Sequence, residues 1–166
     1  MAASLQMPFY DLDRAVESKL GKPVERVIAE EGEVFYRMVE AEVLREICLL
    51  PFAVVALGAG TVTYPESRKV IQERGVLIWL KAGVEELWRR TEGEERWVRL
   101  WNPSAQSQPL PGAEVLRQRL VELLEIREPF YRIADISVDT TGLAVDEVVQ
   151  EILRRLRDAE WQMGPG

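Results

Sequence analysis

Four short apolar runs, Phe9–Leu12, Ala53–Leu57, Val76–Leu80 and Ile136–Val138, limit the possible folds of this chain more than any other feature. Each is too short for a stable helix. The third, Val-Leu-Ile-Trp-Leu, has no polar residue to turn toward water, as expected of a strand buried on both faces. Between the runs lie stretches with helical spacing: Asp13–Leu20, Val24–Ala29, Glu33–Leu50, Pro65–Arg74, Val84–Thr91, Ala113–Tyr131 and Val145–Leu156. In the longest early one, Val34, Met38, Ala41, Leu44 and Cys48 form the expected inward stripe. Pro65–Arg74 closes at Gly75, a helix stop signal. Ala2–Gln6 reads as the last turn and a half of a helix. Strands alternating with helices predict an α/β sandwich with a mostly parallel sheet.

A chain of 166 residues is expected to form one domain, residues 1–166. Its net charge of -7 argues against general nucleic-acid binding. There is no histidine, which removes imidazole chemistry and most zinc sites. The single cysteine, Cys48, sits in an apolar run and reads as an inert buried thiol, so no disulfide can form within the chain. Neither a signal peptide nor an 18-residue apolar run is present, and a cytoplasmic chain with no membrane partner is expected.

One stretch breaks the alternation. Trp97–Gly112 carries three prolines and two tryptophans without either period. A structureless loop of that length is usually functional or mobile, and it reads either as a lid or as a plain surface excursion. The tail, Trp161–Gly166, reads as frayed.

Ligands of open α/β sheets bind outside the carboxyl ends of the strands. The first run delivers Asp11 and Asp13 there. Residues two apart on a strand share a face, so both carboxylates are expected at one site, one for Mg²⁺ and one to accept a substrate proton. The competing reading makes Asp13 the N-cap of the next helix. The second run ends in Gly58-Ala59-Gly60-Thr61, which reads either as a tight turn or as a backbone brought close to an anion. Arg37 and Glu40 have i,i+3 spacing; taken alone they read as a solvated surface pair. Arg127 lies in Glu-Ile-Arg-Glu-Pro-Phe-Tyr.

In order along the chain these pieces resemble the shikimate kinase family. Its F-x-D-x-D matches Phe9–Asp13, and its G-E-x-x-F-R-x-x-E matches Gly32–Glu40 with Tyr36 in place of the Phe. Its G-G-G matches Gly58-Ala59-Gly60, its R-x-P-L-Y matches Arg127–Tyr131, and its V-D-T matches Val138-Asp139-Thr140. The resemblance implies a P-loop-kinase-like three-layer sandwich with a lid at about residues 92–112. It also implies phosphoryl transfer from ATP to the 3-hydroxyl of shikimate, in aromatic amino-acid biosynthesis. Asp13 would bind shikimate hydroxyls and take the proton of the attacking one, while Asp11 would touch Mg²⁺. Arg37, Arg127 and the Gly58–Ala59–Gly60 backbone would hold the shikimate carboxylate, with Glu40 orienting Arg37. Arg90 would lie near adenine. Shikimate would be the partner, with no nucleic acid or membrane, and the chain is expected to be a monomer.

Two parts of the family pattern are missing. The phosphate loop G-x-x-x-x-G-K-[ST] occurs nowhere; the only Gly-Lys is Gly21-Lys22-Pro23. In the family that loop precedes the segment matched by Ala2–Pro8, which implies an N-terminally incomplete kinase, inactive alone. The alternative is a non-catalytic homologue that binds shikimate. In the lid, counting forward from Arg90 reaches Arg96 and counting back from Arg127 reaches Gln108, so Arg96 and Arg99 are the candidates for the family's lid arginine. The family's strand order, 2-3-1-4-5, has as its centre the strand that this chain does not match. The four runs are therefore expected as two parallel pairs separated by a slot one strand wide, about 5 Å of extra spacing on each side.

Overall fold

The computed structural model describes residues 1–91 and 112–159. The lid candidates Arg96, Arg99 and Gln108, and the tail, lie outside the described residues. The elements run α1 (Ala2–Leu5), β1 (Phe9–Asp11), α2 (Leu12–Leu20), α3 (Val24–Glu31), α4 (Glu33–Ile47), β2 (Val54–Ala56), a 3₁₀ turn (Thr61–Thr63), α5 (Pro65–Arg74), β3 (Ile78–Lys81), α6 (Val84–Thr91), α7 (Ala113–Tyr131), β4 (Ile136–Asp139) and α8 (Val145–Asp158).

The strands form two separate parallel pairs, as expected. β1 lies beside β2 with Tyr10 opposite Val55, and β3 beside β4 with Leu80 opposite Val138. One cleft of about 2140 Å³ runs between them. Every residue of β2 and β3 lines it, whereas β1 contributes only Phe9 and β4 nothing. The inner edges of the split sheet are therefore β2 and β3, and the slot lies between them.

Each pair has its own core. Leu12, Val16, Val27, Tyr36, Leu44 and Ile71 belong to a cluster that joins α2, α3, α4 and α5 over the β1–β2 pair. Ile136, Val138 and Ile152 make a smaller one under α8, with Met1 packed against it. Tyr131 ties the halves together. Its hydroxyl donates to the Ala59 carbonyl at 2.8 Å, and its ring lies 5.6 Å from that of Trp79 on β3.

Two expectations are corrected. The stripe read on α4 faces the core only in part: Ala41 and Leu44 are buried as expected, but Val34 is 72% and Met38 57% exposed, and Tyr36, Glu40 and Val43 are buried in their stead. A buried Tyr and Glu occupy positions that hydropathy assigns to the surface, and each has hydrogen-bond partners there. The helix also stops at Ile47 instead of Leu50, ahead of Pro51, which disfavours helical backbone in the residue before it. The second correction concerns Asp13. The first strand ends at Asp11, so Asp13 sits in the first turn of α2, and Asp11 is the N-cap, accepting from the Arg14 amide at 3.1 Å. The two carboxylates therefore do not share a strand face.

Candidate functional site: an acid pocket at the head of the cleft

Asp13, Arg37, Gly58, Ala59, Gly60, Arg127 and Arg90 all line the cleft. Among the described residues, Asp11 is not part of its wall, and Glu40 lies behind it, fully buried. The helix α4 presents this arrangement. Arg37 Nη1 donates to both Glu40 oxygens at 3.0 Å, and Thr61 Oγ1 donates to Oε1 at 2.9 Å. The pair that reads as a surface salt bridge is thus a buried one, with Glu40 at 0% exposure. Toward solvent, Glu33 accepts from Arg37 Nη2 at 3.1 Å. Burial works against the Arg37 charge, but pairing with Glu40 outweighs it and holds the guanidinium above its ordinary pKa.

The glycines of the turn after β2 serve space, not backbone conformation. A Cβ on Gly60 would stand 2.8 Å from Arg37 Cζ, although φ there is an ordinary -93°. A Cβ on Gly58 would meet Asp13 Oδ1 at 3.2 Å and Glu40 Oε1 at 3.7 Å. These two residues allow the backbone to lie against the charged side chains. Ala59 between them has no positive φ, so the methyl there causes no backbone strain.

Arg127 approaches from α7, half-buried and beside the Tyr131 hydroxyl. Burial raises the Tyr131 phenol and the neighbouring Arg127 opposes that. Pro129 lies within the same helix; it cannot donate to the carbonyl four residues back and weakens the helix there.

Sequence reasoning did not assign Tyr36, Thr61 or Tyr131. Tyr36 is 2% exposed, and its hydroxyl lies 2.9 Å from Asp13 Oδ1 and 3.1 Å from Glu40 Oε1. The signal for it is its position four residues before Glu40, one helical turn away on the same face.

Farther along the cleft, Arg90 Nη1 donates to Thr140 Oγ1 at 2.9 Å, Nη2 to the Thr140 carbonyl at 2.8 Å and Nε to Glu86 at 2.7 Å. Its guanidinium is thereby fixed on the wall below β4. Of the four lysines of the chain, three lie off the cleft, Lys19 paired with Glu42 and Glu46, Lys22 with Glu30 and Lys69 with Glu73, while Lys81 lines it with its ammonium over the Trp79 ring. Among the described residues, no group of three or more His, Cys, Asp or Glu could hold a metal ion. Burial pushes the Cys48 thiol up, away from the reactive thiolate, in line with an inert cysteine. No described helix is long and apolar enough to cross a membrane.

A family model described as shikimate kinase matches residues 1–157. A shikimate kinase of Thioalkalivibrio sulfidiphilus is 35% identical over 158 residues, 95% of this chain and 77% of that protein. One from Bordetella pertussis is 34% identical over 161 residues, 96% of this chain and 71% of that protein. Among solved structures, the shikimate kinase of Acinetobacter baumannii in complex with shikimate superposes with a TM-score of 0.81 at 30% identity, covering 95% of this chain and 83% of that one. A Bacteroides thetaiotaomicron shikimate kinase gives 0.79 at 23% identity, covering 96% and 87%, a likeness of fold. The fold is that of the P-loop kinases, an α/β sandwich with parallel strands.

Proposed function

This chain belongs to the shikimate kinase family, and we propose that its acid pocket binds shikimate. The observation that carries the reading is the packing of Asp13 and Arg37 against the Gly58–Gly60 turn, whose Ala59 carbonyl accepts from the Tyr131 hydroxyl beside Arg127. A planar guanidinium offers a carboxylate two parallel hydrogen bonds, and Glu40 holds that of Arg37 ready. Asp13 then faces the ring hydroxyls and accepts a hydrogen bond from one of them; in the family's reaction that carboxylate would take the proton of the attacking hydroxyl.

The family's reaction takes a phosphoryl group from ATP with Mg²⁺, which would supply the electrophile and neutralise its charge. The residues present do not fit a triphosphate. Such a site needs several amides at a helix N-terminus and a lysine; no stretch of the 166 residues has that spacing, and the one lysine on the cleft wall, Lys81, follows Leu80 at the end of β3 and not a glycine loop. Asp11, the expected Mg²⁺ contact, caps α2 through Oδ1. We therefore expect these 166 residues to bind shikimate without phosphorylating it. Arg90 and Thr140 would border the adenine.

Titration calorimetry with shikimate tests the reading. Wild type should bind, and Arg127→Ala should bind more weakly by about 1.5–3 kcal/mol, the worth of a hydrogen bond to a charged group. Equal affinities would remove Arg127 from the site. ATP-dependent phosphorylation of shikimate above background by this chain would overturn the separation of binding from transfer.

A further inference from the structure

The structure assigns to Tyr36 the role of a positioning residue, one that joins recognition of the ligand's hydroxyl to recognition of its carboxylate. The inference rests on the shikimate reading above. The family motif has Phe at this place, so the hydroxyl is a group this chain adds. It is buried and stands between two carboxylates, 2.9 Å from Asp13 Oδ1 and 3.1 Å from Glu40 Oε1. A phenol carries one proton and cannot donate fully to both. Glu40 already accepts from Arg37 and Thr61. Among the described residues, Asp13 has no side-chain donor besides Tyr36.

The geometry therefore directs the Tyr36 O–H to Asp13 Oδ1. Oδ1 is then anchored, and Oδ2 remains for a ligand hydroxyl. Burial, and the nearby Glu40 and Asp13, push the Tyr36 phenol far above its ordinary pKa, so it remains a donor. The Arg37 guanidinium lies 5.1 Å over the same ring. One side chain thus touches the carboxylate that meets the hydroxyl, the carboxylate that orients Arg37, and Arg37 itself.

The test compares shikimate with an analogue lacking the 3-hydroxyl, by titration calorimetry on the 166-residue chain. Wild type should prefer shikimate by about tenfold or more, the worth of a hydrogen bond to a charged group. Tyr36→Phe, confirmed as folded by its melting curve, should cut that preference to threefold or less. In an Asp13→Ala background, Tyr36→Phe should change the preference for shikimate over the analogue less than twofold. Should Tyr36→Phe not fold, incorporation of ring-fluorinated tyrosine at position 36 retains the hydroxyl as a stronger donor and should keep or raise the preference. An undiminished preference in Tyr36→Phe, a full effect in the Asp13→Ala background, or a fall with the fluorinated ring would each overturn the role and leave the shikimate reading intact. Wild type that bound neither ligand would overturn both.

Discussion

Around β1 and β2, Leu12, Val16, Val24, Val27 and Leu44 are each 2% exposed or less, whereas in the cluster beside β3 and β4 only Val138, at 1%, is so dry. The most buried ion pair among the described residues lies on the dry side as well. Arg37 and Glu40 are 13% and 0% exposed, while Arg154 and Glu151 on α8 are 53% and 27%. A charge held in a dry half is fixed, and its partner with it; a charge in a wet half is screened and can be re-aimed at little cost. The acid pocket therefore stands in the preorganised half, where ordering has been completed before a ligand arrives. The Arg90 wall stands in the other, where Thr140 and Glu86 hold a guanidinium that is 36% exposed.

Three substitutions test that division. Arg37→Ala should have the largest effect, because it leaves Glu40 buried with only the Tyr36 and Thr61 hydroxyls. Breaking a buried pair from one side costs about 3–5 kcal/mol, and a loss below 1 kcal/mol in urea unfolding would show that this half is wetter than it looks. Thr140→Val comes next. It removes the acceptor of Arg90 Nη1 and the donor to the Lys81 carbonyl, at about 1–2 kcal/mol by the same measurement, and should leave shikimate affinity unchanged. A change in that affinity would mean the halves are coupled, with Tyr131 as the obvious link. The smallest effect belongs to Lys19→Gln on the outer face. Lys19 is 35% exposed, its partners Glu42 and Glu46 more so, and pairs of that kind contribute little. Its melting temperature should not move beyond error.

Much of the fold is legible in the sequence where local chemistry marks an element's ends. Pro65 at the first turn and Gly75 after the last bound α5 to the residue, and the parallel pairing of the four apolar runs follows from their order and the family resemblance. Burial on α4 is not legible in the same way. Val34 and Met38 look like core residues and are not; Tyr36 and Glu40 are core residues because each finds hydrogen-bond partners there. Hydropathy weighs side chains singly, whereas the cost of burying a polar one depends on partners distant in sequence. Asp13 and Arg37 could be read from their motifs. The hydroxyls of Thr61 and Tyr131, which fix the buried carboxylate and the turn, could not, since each acts across 21 or 72 residues of chain.

The cleft between the sheets has a thermodynamic consequence. About 2140 Å³ is room for roughly 70 waters at bulk density, about 30 Å³ apiece. Val54, Val55, Ile78 and Leu80 stand along it, Leu80 at 53% exposure, so part of the apolar surface that unfolding normally uncovers is already wet in the native state. The heat capacity of unfolding scales with newly exposed apolar area, and so does the denaturant slope. For this chain both should fall below those of a closed domain of equal length, whose heat-capacity change would be about 2 kcal/mol/K. Its stability would then vary little with temperature, and its urea transition would be broad.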